Sequence, residues 1–313
     1  MFGSVLAVAV LVAGILLMTL SSDKAVEHSI ILALALGISP LMIGFTLVAV
    51  GTDLPEIVNS IVSCALGHGN INAGDSIGSV LTQLTLIFGI LPFFGASFKV
   101  KRKEILITGA CLILSLMLIT SIVEKGYISR INALFLVGSW PIYMLITKTI
   151  TSRGAQKTLN SAEIIKNKRS HIIMAALGFI GVAIGAYAVV QSVIMLSAIL
   201  NIPEYIISFF LVAIGTSLPE LAVDLTALRK KQYEIVIGDI IGSCVVDASL
   251  SIGIGQVFFP QAVSGELATI TTLYAILASL LVILTLAIRK RMDKRAGIIF
   301  ITLYLLSYTL LII

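Results

Sequence analysis

Long apolar runs separated by short polar or basic segments dominate the sequence, and this pattern predicts a bundle of membrane-spanning helices. A helix needs about 20 mainly apolar residues to cross the hydrocarbon core of a bilayer, which is the length that the runs provide. For the first run there is an alternative in which the helix continues through the polar residues 21–28 to residue 36. The ten predicted spans cover residues 2–20, 39–67, 71–96, 104–123, 131–149, 171–200, 203–228, 234–258, 266–288 and 296–313.

Two of the runs contain the same polar interruption, which reads GTDLPE at residues 51–56 and GTSLPE at residues 215–220. A carboxylate at membrane depth costs free energy, so Glu56 and Glu220 indicate a functional site. The proline of each segment lacks an N–H and therefore frees a carbonyl one turn earlier, and the glycine eases the bend. Carboxylate, hydroxyl and carbonyl oxygens together are the ligands of hard cations. The side chains of this predicted cluster are Thr52, Glu56, Thr216 and Glu220.

The two halves of the chain repeat each other at a constant offset of 164 residues. Residues 51–56 correspond to 215–220, and Gly74-Asp75 corresponds to Gly238-Asp239. The copies lie five spans apart, and this odd displacement predicts opposite orientations in the membrane, with a site near the midplane. The predicted units are repeat one (1–149, motif region 44–90), a cytoplasmic linker (150–170) and repeat two (171–313, motif region 208–254).

A second polar stretch follows each motif, at residues 74–83 and 238–247. Because residues four apart share one face of a helix, each stretch predicts a polar stripe. Four stripes from four spans, related by a pseudo-twofold axis, can converge on one cavity. The stripes are Asp75, Ser79 and Gln83 in the first half, and Asp239, Ser243 and Asp247 in the second.

Some of these polar residues have a structural alternative, since intramembrane Ser and Thr often bond to their own helix or to a neighbouring one. Asp75 and Asp239 belong to the site or lie near an aqueous end of their helices. Asp53 is a further candidate, and Asp224 either joins the site or faces the basic cytoplasmic rim.

Composition agrees with a membrane protein and argues against a soluble domain or a nucleic-acid-binding protein. The 313 residues are 58% hydrophobic and 12% charged, with a mean hydropathy of +1.10. Residues 1–20 lack a basic start and a clear cleavage site, so they are interpreted as a span and not as a signal peptide. The cysteines lie in apolar segments and the histidines share no ligand spacing, which favours structural roles for both.

The net charge of +5 comes from basic residues that are clustered. Eighteen of the 21 lysines and arginines follow predicted spans 3, 5, 7 and 9, which puts all four clusters on one side. The positive-inside rule makes that side the cytoplasm and predicts that both termini face out. The clusters occupy residues 99–103, 148–169, 229–231 and 289–295.

The paired motifs, each followed by a G-[ND]-x-x-G-S segment, resemble the alpha repeats of the cation/calcium antiporter superfamily, which includes the Na⁺/Ca²⁺ exchangers. The resemblance extends to the ten-span layout of nearly the whole chain and implies an all-α fold of two inverted five-helix repeats. It also implies that Glu56 and Glu220 bridge Ca²⁺ and that spans 1 and 6 are the moving pair. The other ligands that it implies for Ca²⁺ and Na⁺ are Thr52, Thr216, Ser79, Ser243 and the carbonyls of Ala49 and Ala213, with polar groups at Gln83 and Asp247.

The sequence departs from the family pattern at four positions. Asp53 stands where Ser is usual, whereas Ser217 keeps the pattern. Asp75 and Asp239 replace the Asn of close Na⁺/Ca²⁺ exchangers, and Gln83 replaces another Asn. The added carboxylates favour a protonatable relay, as in the H⁺/Ca²⁺ branch, but the GTxLPE motif itself favours Na⁺.

The sequence thus predicts a transporter and not an enzyme: an antiporter of a prokaryotic cell membrane that exchanges Ca²⁺ for Na⁺, or for H⁺, by alternating access. It is expected to act as a monomer in membrane lipid, without a cofactor. A gated cation channel remains the alternative of a different class. An intramembrane aspartyl protease is disfavoured, because neither Gly-Asp pair has a glycine three residues before its aspartate.

Overall fold

The computed structural model of the protein describes residues 2–35, 49–95, 97–150, 168–229, 231 and 233–312. Residues 39–48 of the second predicted span and residues 151–167 of the predicted linker lie outside the described residues. The helices of the first half are α1 (Phe2–Ala35), α2 (Ala49–Thr52), α3 (Leu54–Ala65), α4 (Gly69–Leu81), α5 (Phe88–Phe94), α6 (Arg102–Val123) and α7 (Arg130–Ile150). The helices of the second half are α8 (Lys168–Leu200), α9 (Glu204–Ile207), α10 (Ala213–Thr216), α11 (Leu218–Arg229), α12 (Tyr233–Val246), α13 (Ile252–Phe258), α14 (Gly265–Arg289) and α15 (Lys294–Ile312).

Within the described residues, seven helical stretches are long and apolar enough to cross a membrane. Two shorter apolar helices, Leu54–Ala65 and Arg130–Ile146, lie in the second and fifth predicted spans, and α15 covers the tenth. The first span is the continuous helix α1, so the alternative that continues through residues 21–28 is correct. The count of ten spans stays a prediction. The seven stretches are Gly3–Ser29, Gly69–Phe94, Arg102–Val123, Arg169–Leu200, Glu204–Arg229, Ile235–Phe258 and Gly265–Arg289.

Burial divides these helices into central and peripheral ones. In the most apolar part of Gly69–Phe94, 78% of the residues are buried, against 28% for Gly3–Ser29 near the N-terminus. Large apolar side chains on the peripheral helices are exposed, for example Val5 (64%), Ile131 (67%) and Ile288 (76%). Apolar surface on this scale indicates contact with lipid, whereas the polar side chains of the motifs lie inside.

Three segments of π-helix, in which one extra residue widens a turn, interrupt the central helices. The first, π1, joins α4 to α5, π2 joins α9 to α10, and π3 joins α12 to α13. Adding the repeat offset of 164 to residue 82, where π1 begins, gives residue 246, directly before π3 begins. The two halves therefore carry the same distortion at the same place. The segments are π1 (Thr82–Ile87), π2 (Ser208–Val212) and π3 (Asp247–Ser251).

Two small antiparallel sheets join the halves, and each contains one strand from each half. Strand β1 pairs with β4, with Phe98 opposite Met292, and β2 pairs with β3, with Tyr127 opposite Ala262. Adding 164 to the residues of β2 gives those of β4, so the strands also follow the repeat. The strands are β1 (Phe98–Lys99), β2 (Tyr127–Ile128), β3 (Gln261–Ala262) and β4 (Arg291–Met292).

The two longest helices, α1 and α8, pack against each other along their length. A Cβ atom added at Gly185 would lie 2.7 Å from Cγ of Met18 and 2.8 Å from the carbonyl oxygen of Gly14, so glycine is required for this close approach. Further along the pair, Nδ1 of His28 lies 2.9 Å from Nδ1 of His171. These are spans 1 and 6, the predicted moving pair, and the packing joins them into one unit.

Candidate cation site

Both motif helices are interrupted at equivalent positions, as the sequence predicts. Asp53 separates α2 from α3 with φ −80° and ψ 11°, and Ser217 separates α10 from α11 with φ −82° and ψ 9°. Pro55 has no N–H to offer the carbonyl of Gly51, and the Ser22 hydroxyl of α1 donates to that carbonyl instead at 3.3 Å. Two chain segments 164 residues apart thus adopt the same backbone conformation.

Residues that occupy the same position in the two halves touch each other at the centre of the bundle. Nε2 of Gln83 donates to Oδ2 of Asp247 at 3.1 Å, and Sγ of Cys244 lies 3.6 Å from the carbonyl oxygen of Val80. The members of both pairs are 164 residues apart. Two helices that touch at equivalent residues are related to each other, at the point of contact, by a local twofold axis. The helix pairs α4–π1 and α12–π3 therefore cross at a local twofold axis.

The motif glutamates lie in this central region and are almost completely buried, each with 1% exposure. The carboxylate of Glu56 lies near enough to those of Glu220, Asp247, Asp75 and Asp53 to interact electrostatically with them. Unpartnered buried carboxylates cost several kcal/mol unless a cation or protons neutralise them. Within the described residues, the buried oxygens without a hydrogen-bond partner include both oxygens of Glu56 and Glu220, Oδ1 of Asp247, Oγ1 of Thr52 and Oγ of Ser79.

Asp75 differs from these acids because both of its oxygens have partners. Nδ2 of Asn59 donates to Oδ2 at 2.6 Å, and the Thr216 hydroxyl lies 3.1 Å from Oδ1. The same hydroxyl lies 3.1 Å from the carbonyl oxygen of Val212, and its single proton serves one acceptor at a time. Asp75 is 1% exposed, so it lies inside the bundle and not at an aqueous end of α4.

The equivalent acid of the second half, Asp239, has a different environment. It is only partly buried, and its Oδ2 has no hydrogen-bond partner among the described residues. The position that corresponds to Asn59 holds Val223, which cannot donate a hydrogen bond. Asp53 is completely buried beside Asp239, and neither of its oxygens has a hydrogen bond of ordinary geometry among the described residues, although the Ser243 side chain lies close enough to interact with it. The local twofold axis therefore relates one satisfied acid to one that is not.

The remaining predicted residues are connected to this cluster to different degrees. Ser217 lies 3.5 Å from Nε2 of Gln83, and Ser243 is close to Asp53. The carbonyl of Ala213 lies 3.5 Å from the Thr216 hydroxyl. Thr52 lies on α2 and Ser79 on α4, and neither hydroxyl has a hydrogen-bond partner among the described residues. Ala49 is the first described residue of α2.

Within the described residues, no group of three or more His, Cys, Asp and Glu side chains is placed to hold one metal ion. The predicted ligand set depends on two glutamates with hydroxyl and carbonyl oxygens, and such mixed oxygen sets are usual for Ca²⁺. In this conformation the carboxylates of the described residues do not close around a single point.

For two residues of this region the structure goes beyond what the sequence indicates. Asn59 was not singled out, although an amide in an apolar span one turn after Glu56 is itself a signal. Asp224 does not face the basic rim: it is completely buried, both oxygens are unpartnered, and it interacts electrostatically with Asp239. Its position four residues after Glu220 on α11 was the available signal.

The partners of Asp75 lead to a prediction about stability. Asp75→Ala leaves the amide of Asn59 without its acceptor, whereas the hydroxyl of Thr216 keeps the carbonyl of Val212, and the change should lower the free energy of unfolding by about 1–3 kcal/mol. Asp75→Asn keeps an acceptor oxygen and should recover much of this loss. Denaturant unfolding of the purified protein measures both changes, with Asp23→Ala on the exposed face of α1 as control. An Asp75→Ala protein as stable as the wild type would contradict the assignment.

Comparison with known proteins agrees with this geometry. The family described as "Sodium/calcium exchanger protein" matches residues 6–148 and 170–313. The inner membrane protein YrbG of Escherichia coli K12 is 30% identical over 271 residues, which are 82% of this chain and 81% of that protein. The sodium/calcium exchanger MaX1 of Methanosarcina acetivorans is 26% identical over 340 residues, covering 94% of this chain and 95% of that protein.

Solved structures with the same fold include two kinds of exchanger. The sodium-calcium exchanger NCX_Mj, soaked with Na⁺ and Sr²⁺, has a TM-score of 0.63 and 27% identity, and the match covers 98% of this chain and 99% of that chain. The H⁺/Ca²⁺ exchanger CAX has a TM-score of 0.77 at 15% identity, covering 97% and 82%, and this likeness bears on the fold alone. The family transports ions and is not a family of enzymes. The chain is thus an all-helical, multi-pass integral membrane protein that belongs to the sodium/calcium exchanger family.

Proposed function

We propose that this protein is a secondary antiporter that exchanges Ca²⁺ for a monovalent cation, Na⁺ in preference to H⁺, by alternating access. One observation carries the proposal. The local twofold axis marked by Gln83 and Asp247 brings Glu56 and Glu220, both buried and unpartnered, into one electrostatically coupled cluster.

In this proposal the fold consists of ten spans in two inverted five-helix repeats, residues 1–149 and 171–313, with a cytoplasmic linker at 150–170 and both termini outside. The small sheets support the inversion. Strand β2 follows α6 and lies at one end of that helix, whereas its equivalent β4 lies at the other end, in the sheet with β1, which precedes α6. The basic clusters at residues 99–103 and 289–295 adjoin that sheet, as expected for the cytoplasmic side.

Glu56 and Glu220 bridge the Ca²⁺ ion, and Asp247 adds a third negative charge near it. Ca²⁺ takes six to eight oxygen ligands, so neutral oxygens complete its coordination. The unpartnered oxygens of Thr52 and Ser79 support this assignment on the first repeat. The remaining ligands of Ca²⁺ and of the monovalent ions are Thr216, Ser217, Ser243, Gln83, Asp53, Asp75 and the carbonyls of Ala49 and Ala213, and Asp239 borders this set, eight residues before Asp247.

Exchange follows from the charge of the emptied site. When Ca²⁺ leaves, the carboxylates of Glu56, Glu220 and Asp247 repel one another in a low-dielectric region. Monovalent cations must bind before the carrier can reorient, and this requirement couples the two fluxes. The pair α1–α8, packed as one unit, is the element that moves past the site.

The choice of counter-ion depends on opposing features of the sequence. The GTxLPE motifs favour Na⁺, and they are present in both repeats. The second candidate is H⁺, and the observation in its favour is the set of added carboxylates, above all the buried and unpartnered Asp53.

The test is ⁴⁵Ca²⁺ uptake into proteoliposomes with an outward Na⁺ gradient or a pH gradient imposed separately, at a clamped membrane potential. The Na⁺ gradient should raise uptake at least about tenfold over vesicles without a gradient, and the pH gradient alone should not. Uptake driven by the pH gradient in Na⁺-free buffer would establish the H⁺ alternative. A rate of Ca²⁺ uptake that depends on neither gradient would contradict antiport and favour a channel.

A further inference from the structure

A second group of acids lies beside the candidate transport site, on one side of the local twofold axis only. Asp224 is completely buried with both oxygens unpartnered, and its interaction partner is Asp239. Asp239 also interacts with Asp53 and Glu220, which belong to the central cluster. The acids therefore form a continuous series from Asp224 through Asp239 to the central glutamates.

Helix geometry separates this group from the transport site. Asp224 lies four residues after Glu220 on α11, about 6 Å along the helix. Asp239 lies eight residues before Asp247 on the continuous stretch α12–π3, about 12 Å away. Both acids are thus displaced from the axis in the same direction, towards the α11–α12 turn. Asp239 is the partly exposed member of the group.

The equivalent position of the first repeat contains no such group. Residue 60, which corresponds to Asp224, is a serine whose hydroxyl accepts a hydrogen bond from the backbone N–H of Gly255 at 3.1 Å. Asp75, which corresponds to Asp239, has both oxygens partnered. The chain therefore concentrates unpaired negative charge on one of the two routes to the site, although its repeats are otherwise closely matched.

We propose that Asp224 and Asp239 form a second cation site that binds a partly hydrated Ca²⁺ ion on this route, ahead of the transport site. Asp224 is buried and Asp239 partly buried, and neither forms a salt bridge within the described residues. Their two carboxylates match a divalent cation in charge, and water supplies the remaining ligands. The transfer of this ion to Glu56 and Glu220 rests on the proposed function, but its binding does not.

The binding test uses the purified full-length protein with the transport site disabled by Glu56→Gln and Glu220→Gln. Equilibrium dialysis against ⁴⁵CaCl₂ should detect one bound Ca²⁺ ion per chain in this double variant. Adding Asp224→Ser, the residue found at the equivalent position 60, should weaken that binding at least about tenfold. Asp23→Ser on the exposed face of α1 is the control and should not change it. Loss of saturable binding in the double variant, or binding unaffected by Asp224→Ser, would overturn the proposal.

A sided flux measurement tests the route. The turn between α11 and α12 adjoins the basic cluster at residues 229–231, which predicts that this route opens to the cytoplasm. In everted vesicles, Asp224→Asn should raise the Ca²⁺ concentration for half-maximal exchange about tenfold, without lowering the maximal rate. In right-side-out vesicles the same variant should behave like the wild type. An equal change in both preparations would contradict a one-sided site. Failure of the proposed transport site would appear separately, as Ca²⁺ exchange by the variant that carries both Glu56→Gln and Glu220→Gln.

Discussion

Replacing Glu56 or Glu220 by Gln is expected to abolish Na⁺-driven Ca²⁺ uptake, with a fall in rate of at least about 100-fold. The substitution keeps the size and shape of the side chain and removes its charge. The charge pair that is lost is the one between the carboxylate and the bound Ca²⁺ ion. Removing one partner of a buried charge pair costs about 3–5 kcal/mol, and each 1.4 kcal/mol corresponds to a factor of ten in rate. Because the two glutamates are related by the local axis and both are 1% exposed, the two single variants should be affected alike.

Initial rates of ⁴⁵Ca²⁺ uptake into proteoliposomes measure this effect. Glu266→Gln, an exposed acid in the first turn of α14, is the matched control and should transport like the wild type. Elution from a size-exclusion column identifies variants that fail to fold. If the protein that carries both substitutions took up Ca²⁺ at the wild-type rate, the assignment of the two glutamates to the transport site would be wrong.

The second large effect concerns the coupling of the two ions. Without Na⁺ and at alkaline pH, Ca²⁺ should exchange for Ca²⁺ across the membrane, whereas its net efflux into Ca²⁺-free buffer should be at least about 100-fold slower. Two unit charges 4 Å apart repel by about 4 kcal/mol at an effective dielectric constant of 20. A repulsion of this size is enough to prevent the empty carrier from reorienting at an appreciable rate. Adding Na⁺ to the outer buffer should restore net efflux.

Efflux of ⁴⁵Ca²⁺ from preloaded proteoliposomes into buffers with Ca²⁺, with Na⁺ or with neither measures this difference. Vesicles without protein correct for leak, and a potassium and valinomycin clamp removes the effect of membrane potential. Equal rates in all three buffers would be the behaviour of a channel, which is the alternative class that the sequence leaves open.

The central geometry of the site was accessible from the sequence because it depends on local chemistry and on the repeat. A proline without an N–H interrupts its helix wherever it lies, so the breaks at Asp53 and Ser217 could be predicted. The constant offset between the halves indicated which residues would be equivalent, and Gln83 and Asp247 meet in this way.

Other features depend on packing between distant segments and leave little trace in the sequence. The strands β1 to β4 have two residues each, too short for an alternating pattern to be recognised. The π segments differ in composition, from SFFLV to DASLS, so no single pattern marks a widened turn in the sequence. The burial of Asp224 depends on the arrangement of α11 against α12, and a single acid near a basic cluster gives no indication of which way it faces.

The difference between Asp75 and Asp239 also required the structure. In the sequence the two aspartates appear equivalent, since each follows a glycine in a repeated segment. Their neighbours differ because Asn59 reaches Asp75 from α3, whereas Val223 occupies the corresponding place on α11. This substitution accounts for one of the two hydrogen bonds of Asp75; the other, from Thr216, also has no counterpart, since the hydroxyl of the equivalent Thr52 has no partner among the described residues.

The most direct measurement is anomalous diffraction from crystals grown with Ca²⁺, since it locates the ion without reference to transport. The predicted result is a peak within about 2.3–2.6 Å of carboxylate oxygens from both Glu56 and Glu220. A Ca²⁺ ion that contacts neither glutamate, or a density map in which these side chains point away from each other, would contradict the account.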